Sequence, residues 1–246
     1  MPLKIEGKQE GKAEELKKIS IAVIDLIAPI TIRDKAFELI DGCLDSKIKG
    51  VMLIIDSGGG TMGDFSVLHD LVKKTVLIKP VIVFVAGSGC SGGYLVASAA
   101  SYIVTASCSS IGSVGVFMEV MRHTGENSGK TGEITGSCEI TTFKGGSHKD
   151  LYNPLLGSLS PEDFAYIQKR TQEHYDLFCK VAANRNLKIE ERDLWADGRV
   201  FLPYQAIELG LIDEIGTFFE AKRKMSELLH TSEEELSFIM PCTDKK

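Results

Sequence analysis

Residues 80–103, PVIVFVAGSGCSGGYLVASAASYI, decide the fold. The stretch begins as an apolar run rich in β-branched residues, passes through the glycine-rich turn GCSGG at 89–93, and continues as small and apolar residues at helical spacing. Glycines on both sides permit a tight strand-to-helix turn that projects the Ser91 hydroxyl beside the N–H groups of a helix N-terminus. The pattern predicts a nucleophilic serine. The alternative is close helix packing with Ser91 as an ordinary N-cap.

Apolar β-branched runs alternate with amphipathic segments around this turn. Strands at this spacing, separated by helical patterns, imply right-handed βαβ units. We therefore expect an α/β fold with a largely parallel sheet flanked by helices. The predicted strands are 19–30, 51–56, 81–87 and 102–107, and the predicted helices are 31–46, 65–78 and 94–100.

The pattern changes after Val114. Strands are predicted at 114–121 and 138–143 around a polar loop, and a long helix is predicted from Ser160 to Asn186, opened by the N-terminal signal SPED. Its expected buried positions are Phe164, Ile167, Tyr175, Phe178 and Val181. We expect a single domain over residues 19–230, between a polar N-terminal segment, 1–18, and a charged C-terminal tail, 231–246.

Composition excludes several classes of function. The net charge of −6 and the absence of a Lys/Arg block argue against a nucleic-acid partner. The six cysteines are scattered without metal-ligand spacing, which predicts reduced thiols. The N-terminus, residues 1–20, is polar and charged, without the apolar core of a signal peptide or the apolar length of a membrane span. A cytoplasmic protein is therefore expected, free or at a membrane surface.

A second glycine cluster, IDSGGGTMGDF at 55–65, also follows a predicted strand. Both glycine-rich turns should therefore lie along the carboxyl edge of one parallel sheet, where ligands bind. One turn can supply the nucleophile, while the other supplies N–H groups and an edge for a peptide. A phosphate cradle is the competing interpretation, but no G-K-[ST] sequence follows the glycines.

A serine hydroxyl needs a base to remove its proton. His69 and His174 lie in amphipathic helical patterns and are expected at surface or packing positions. A Ser/His/Asp arrangement would use His123, or His230 with Asp213. A lysine base requires desolvation to lower its pKa. The sequence FKGGSHKD at 143–150 offers three further candidates, which the residues alone leave open: Lys144, His148 and Lys149.

Four separated blocks together resemble the signal peptide peptidase A family of serine peptidases. The blocks are SGGGTMGDF at 57–65, GSGCSGGYLVASAASYIVTASCSSIGSVGVFMEV at 87–120, FKGGSHKD at 143–150, and DGRVFLPYQAIELGLIDEIG at 197–216. The resemblance extends from about Ile19 to Ile215. It implies the fold of the ATP-dependent caseinolytic protease and the crotonases, built from stacked ββα units.

The resemblance also implies roles for particular residues. It places the catalytic serine at Ser91 and the catalytic lysine at Lys149, with Ser113 holding the lysine by a hydrogen bond. The backbone N–H groups of Gly60 and Gly92 would stabilise the oxyanion. No metal or organic cofactor is implied.

The chain departs from the family pattern at the substrate edge, where the family's N-S-P-G-G reads D-S-G-G-G. Asp56 replaces an amide and Gly58 replaces a proline, while Gly59 keeps its glycine. Cys90 stands where a small apolar residue is usual, and we expect it to be a buried packing residue. The polar loop before Lys149 is longer than usual.

The activity implied is that of a serine endopeptidase. It would hydrolyse extended peptides, such as signal-peptide remnants or unfolded segments, through an acyl-enzyme. Half-length members form homo-oligomeric rings in which neighbouring subunits share active sites, and the same is expected here. The alternatives are a Ser/His/Asp hydrolase and a catalytically silent crotonase-like scaffold or acyl-ligand binder.

Overall fold

The computed structural model describes residues 18–27, 32–120, 159–185 and 187–240. The strands are β1 (Ile19–Ile27), β2 (Ile48–Ser57), β3 (Val81–Cys90), β4 (Tyr102–Thr105), β5 (Ser110–Gly112), β6 (Val200–Phe201), β7 (Glu214–Ile215) and β8 (Leu236–Ile239). The α-helices are α1 (Ile32–Leu44), α2 (Met62–Val76), α3 (Gly92–Ala97), α4 (Pro161–Ala182), α5 (Arg192–Trp195), α6 (Pro203–Glu208) and α7 (Phe218–Leu229).

A mostly parallel sheet forms the centre of the described fold, in the order β6-β5-β3-β2-β1-β8, with β4 also on β3 and β7 on β4. Among the strand pairings of the described residues, only that of β5 with β6 is antiparallel. The central strands are apolar and β-branched because helices cover both faces of a parallel sheet. Val51, Leu53, Val81 and Val83 are all fully buried. The predicted α/β class with a largely parallel sheet is confirmed.

Strand β3 divides its pairing between two neighbours. Its first half, Ile82 to Val85, pairs with β4, whereas its last residues, Ser88 to Cys90, pair with β5. The pairing of β3 with β2 also shifts register between Ile55 and Ser57. Such irregularities bend a strand and re-aim the residues at its end. The end of β3 is therefore bent relative to the rest of the strand just before Ser91.

The long helix predicted from Ser160 is present as α4. Ser160 is its N-cap, with Oγ accepting a hydrogen bond from Asp163 N at 3.0 Å, and Pro161 is its first residue. Phe178 is buried as predicted, but Phe164 is 61% exposed, so that assignment to the buried face is wrong. Phe164 lies at the exposed N-terminal end of α4, before the helix reaches the core.

Two further expectations differ from the structure. Residues 114–120 are not in a strand, because none of the described residues pairs with them as a neighbouring strand. Within the stretch expected as a charged tail, Leu236–Ile239 form β8, which pairs in parallel with β1. The sheet therefore continues past residue 230. The strand predicted at 138–143 lies outside the described residues.

Buried Lys79 fixes the connection from α1 to β2. Its Nζ donates hydrogen bonds to the carbonyl oxygens of Gly42, Asp45 and Ile48 at 2.9 to 3.0 Å. The ammonium group thereby satisfies carbonyls at a helix C-terminus that would otherwise lack partners. None of the helices in the described ranges has the length and apolarity needed to span a bilayer.

Candidate active site

Ser91 lies at the junction of β3 and α3, in a backbone conformation that non-glycine residues rarely adopt. Its φ is 50° and its ψ is −120°. Its N–H donates to Gly112 O at 2.8 Å, and its C=O accepts from Leu95 N at 2.9 Å. The hydroxyl makes no capping hydrogen bond to α3. Ser91 is thus the N-cap residue of α3 by position, but its side chain does not cap the helix.

The glycine-rich turn after β2 packs directly against Ser91. Gly59 has a φ of +107°, and a Cβ placed on it would lie 2.7 Å from Ser91 Cβ and 2.8 Å from Gly92 N. Real Cβ atoms do not approach other atoms so closely, so only glycine fits. Because β2 and β3 are parallel neighbours, both glycine clusters lie at the same carboxyl edge of the sheet, as the sequence predicts.

Ser57 supports both glycine-rich turns from within the core. It is 2% exposed, and its Oγ accepts a hydrogen bond from Gly59 N at 3.2 Å. A Cβ on Gly93 would lie 2.7 Å from Ser57 O, so the backbone of α3 rests on this carbonyl. Ser57 was not singled out from the sequence, where it is one more small residue in a polar turn.

The ring of Phe65 lies between the two glycines expected to donate to the oxyanion. Phe65 belongs to α2 and is 5% exposed. A Cβ on Gly60 would lie 2.7 Å from its Cε2, and a Cβ on Gly92 would lie 2.5 Å from its Cγ. One buried aromatic ring thus sets the spacing of both backbones. In the sequence Phe65 is only the first apolar residue of an amphipathic helix.

Ser113 follows the residue that binds the Ser91 amide. It has a φ of 49°, and its N–H donates to Arg199 O at 2.7 Å. Gly112, with a φ of +102°, accepts from Ser91 N. Ser91 and Ser113 line the same cavity. The structure thus brings together two serines that lie 22 residues apart in the sequence.

Asp56 links the ends of β2 and β3 near Ser91. It is exposed, and its Oδ1 accepts a hydrogen bond from Ser88 N at 2.9 Å. A Cβ on Gly87 would lie 2.6 Å from the same oxygen. The carboxylate therefore bridges β2 and β3 where their register shifts. Gly58 lies beside it in open space, with no atom within 4 Å of an added Cβ.

Adjoining cavities form a groove around Ser91. The first has a volume of about 850 Å³ and also contains Gly60 and Ser113. The second, of about 600 Å³, contains Ser91, Gly92 and His174. A third, of about 470 Å³, lies between residues 116–120 and the first half of α4, and it shares Val116 with the other two. Each of the three cavities has a volume in the range of ligand-binding sites.

Among the described residues, Asp213 and His230 do not form a triad with Ser91. Asp213 accepts hydrogen bonds from Ile103 N and from Arg185, and His230 ends α7 in a left-handed conformation. Neither lines the cavities that contain Ser91. His69 is buried, and burial lowers its pKa. His174 was expected at a surface or packing position, but it lines the second cavity with Ser91.

Cys90 is a packing residue. It is 6% exposed, its Sγ donates to Ser110 O at 3.4 Å, and burial raises its pKa. A thiol with a raised pKa holds little thiolate and is a poor nucleophile.

The proposed base lies elsewhere in the chain. Lys144, His148, Lys149 and His123 fall outside the described residues.

Comparisons with known proteins identify related chains. The sequence model of peptidase family S49 matches residues 73–232. A putative protease of Methanocaldococcus jannaschii is 36% identical over 193 residues, which cover 78% of this chain and 60% of that protein. A putative signal peptide peptidase of Enterococcus faecium is 31% identical over 176 residues, which cover 70% of this chain and 48% of that protein.

The fold is also similar to that of a solved protease structure, a lysine-to-alanine variant of the 1510-N membrane-bound stomatin-specific protease in complex with a substrate peptide. The TM-score is 0.54 at 14% identity, and the match covers 93% of this chain and 94% of that chain. This likeness supports the expected fold. The present chain spans 60% or less of the two relatives' own lengths.

Proposed function

The chain belongs to peptidase family S49, and we propose that it is a serine endopeptidase in which Ser91 is the nucleophile and Lys149 is the base. The observation that carries the proposal is the conformation of Ser91. Its amide is bound to Gly112 and its hydroxyl is released from capping. A strained backbone that exposes a hydroxyl in a groove is typical of an activated nucleophile.

The proposed reaction proceeds through an acyl-enzyme. Ser91 Oγ attacks the peptide carbonyl carbon, and neutral Lys149 takes the hydroxyl proton. The lysine then delivers that proton to the leaving nitrogen as the C–N bond breaks. Water hydrolyses the ester by the same route in reverse, with Lys149 as its base. Ser113 orients the lysine amine.

The negative charge that develops on the carbonyl oxygen needs preorganised donors. Gly92 is the first residue of α3, and the first N–H groups of a helix have no intrahelical partner. The Gly60 N–H is the proposed second donor. The Phe65 ring packs against both residues, so the two donors are held at a fixed spacing before substrate binds.

Residues 114–120 are the proposed edge for the substrate. They follow Ser113 and line the cavities on both sides of the groove. An extended peptide can pair with such a segment as an added strand. This segment contributes small and apolar residues to the groove, Gly115, Val116 and Met118 among them, opposite polar residues such as Arg170 and His174. We therefore propose extended substrates with small or apolar residues near the cut, such as signal-peptide remnants or unfolded segments.

The test is cleavage of a library of unstructured Ala- and Leu-containing peptides, read by mass spectrometry. Ser91→Ala and Lys149→Ala should each abolish cleavage, whereas Lys144→Ala and His148→Ala should retain it. Ser88→Ala is the matched control for the serine, because it changes a neighbouring residue in β3. If Lys149→Ala cleaved like the unmodified protein, the base would be another group, and His174→Ala would be the next variant.

We also propose a homo-oligomeric ring in which neighbouring subunits share each active site. Ser91→Ala and Lys149→Ala proteins, each inactive alone, would then complement each other after dissociation and reassembly together. Random mixing of two subunit types would restore about one quarter of the sites. No recovery in mixed assemblies of confirmed stoichiometry would place both residues of each site in one subunit.

A further inference from the structure

A polar cleft separate from the groove lies at the opposite end of β3. It has a volume of about 340 Å³, and its polar lining residues are His69, Lys73, Ser98, Ser101, Arg185 and Asp213. None of them lines the cavities that contain Ser91. Ser101 marks the position of the cleft, because its Oγ accepts a hydrogen bond from Val81 N at the start of β3, whereas Ser91 follows the end of that strand.

Arg185 is the residue that points to a ligand. Its side chain is only 8% exposed. One terminal nitrogen donates to Ala100 O at 3.3 Å and the other pairs with Asp213. Its Nε is buried, and no atom of the described residues accepts its hydrogen bond. Leaving a charged donor buried without a partner is costly, so an acceptor from a ligand would stabilise it.

Other donors lie around the same cleft. Ser101 Oγ accepts from a backbone N–H, which leaves its own hydrogen to donate. Lys73 adds an ammonium group one helical turn after His69 on α2. The ligand must therefore supply acceptor oxygens.

The charge of the cleft indicates a single negative charge on that ligand. Arg185 and Lys73 are positive and Asp213 is negative. His69 Nδ1 donates a hydrogen bond to the Asp70 carboxylate oxygen Oδ1 at 3.0 Å. Burial lowers the pKa of His69, which favours the neutral ring at neutral pH. The lining thus carries one net positive charge. A monoanion matches this charge better than a phosphate dianion.

We propose that the cleft binds a small organic monocarboxylate. The carboxylate oxygens accept hydrogen bonds from Arg185 Nε and Ser101 Oγ, and the Lys73 ammonium group neutralises the charge. The walls contributed by Val76, Ala99 and Ala100 suit a short apolar group. The volume is at the lower end of the range for ligand sites, which corresponds to a ligand of about amino-acid size. A peptide's C-terminal carboxylate and an acidic side chain share this chemistry.

Calorimetric titration with three probes tests the proposal on the full chain. N-acetylalanine presents a terminal carboxylate, N-acetylaspartic acid α-amide presents a side-chain carboxylate, and N-acetylalaninamide presents none. We expect saturable binding of at least one acid and binding of the amide at least about tenfold weaker, as for loss of a charged hydrogen bond. Whichever acid binds more tightly identifies the source. Equal binding of acids and amide, or no saturable binding, would overturn the proposal.

Two lysine variants locate the binding. Lys73→Gln should weaken acid binding about threefold, as expected for a partly solvated charge. Lys74→Gln is the matched control, since this neighbouring lysine does not line the cleft. Both variants should cleave peptides normally. Equal effects of the two variants, or acid binding that is lost only when Ser91 is blocked by an active-site reagent, would refute the assignment.

Arg185→Lys is not a clean test of Arg185, because it also changes the ion pair with Asp213. The role of Arg185 is therefore tested by spectroscopy on the protein without this substitution. The Nε–H resonance of Arg185 should shift on titration with the acid that binds and follow its saturation curve, and it should not shift with the amide. Saturation without any change at this resonance would show that the acid binds elsewhere.

Discussion

Gly59→Ala is the sharpest test of the site geometry. The new Cβ would lie 2.7 Å from Ser91 Cβ, about 0.7 Å short of the 3.4 Å at which ordinary contact begins, and it would also crowd Gly92 N and Ser91 Oγ. The backbone φ of +107° is unfavourable for alanine and adds about 1–3 kcal/mol of strain. Overpacking adds a cost of similar size. We expect the free energy of unfolding to fall by about 2–6 kcal/mol.

Activity should fall further than stability explains. The clash is relieved by moving the serine hydroxyl or the proposed oxyanion donor at Gly92. Misplacement of reacting groups by about 1 Å can cost about 100-fold in rate. We therefore expect kcat/KM of the Gly59→Ala protein to be about 100-fold lower with a fluorogenic peptide, at a temperature where circular dichroism shows that it is folded.

Gly58→Ala is the matched control for this experiment. It adds the same atom one residue earlier, where nothing lies within 4 Å and φ is not in the positive region. Its stability should be unchanged or increase by about 0.4–1 kcal/mol, because alanine restricts the unfolded chain. Its activity should fall much less than that of the Gly59→Ala protein, because the added atom stays clear of Ser91 and Gly92. Gly59→Ala protein that cleaves as fast as the Gly58→Ala protein would refute the close approach of this turn to Ser91.

Three further predictions concern buried side chains. Phe65→Ala should lower the free energy of unfolding by about 3–5 kcal/mol. It should also lower kcat per folded molecule, because the backbones of two glycines lose the ring that supports both. An unchanged kcat would show that Phe65 has no positioning role. Lys79→Met should cost about 3 kcal/mol in urea unfolding, because three carbonyls lose a charged donor, whereas Lys49→Met at an exposed site should cost less than about 0.5 kcal/mol. Burial lowers the folded-state pKa of His69. As pH falls below about 6.5, the unfolded chain therefore binds the proton first, and the free energy of unfolding decreases. His69→Gln should flatten this dependence of stability on pH, whereas His230→Gln should leave it intact.

The strand-turn-helix segment around Ser91 could be predicted from the sequence because its signals are local. An apolar run, closely spaced glycines and a helical pattern all occur within residues 80–103, and the structure has β3, Ser91 and α3 in that order. The position of the second glycine cluster followed from one general rule, that parallel strands share a carboxyl edge. Both inferences needed little knowledge of distant parts of the chain.

Other features depend on contacts between distant residues. The residues 114–120 have a strand-like composition, but a strand needs a neighbour, and local pattern does not say whether one is present. The charged sequence around Leu236–Ile239 conceals a strand that forms because β1 offers an open edge. The roles of Ser57 and Phe65 likewise arise only when α2 and α3 pack together against the sheet.

Rigid surroundings hold the backbone of Ser91 in its strained conformation. Its amide is held by β5, its carbonyl by α3 and its side chain by the close approach of Gly59. All six residues of α3 are buried, so relaxing the serine backbone would require moving a helix out of the core. Packing therefore offsets a local cost of about 1–3 kcal/mol. It follows that the core elements alone fix the position of the proposed nucleophile. The proposed base, which belongs to a different part of the chain, needs only to reach a hydroxyl that is already in place.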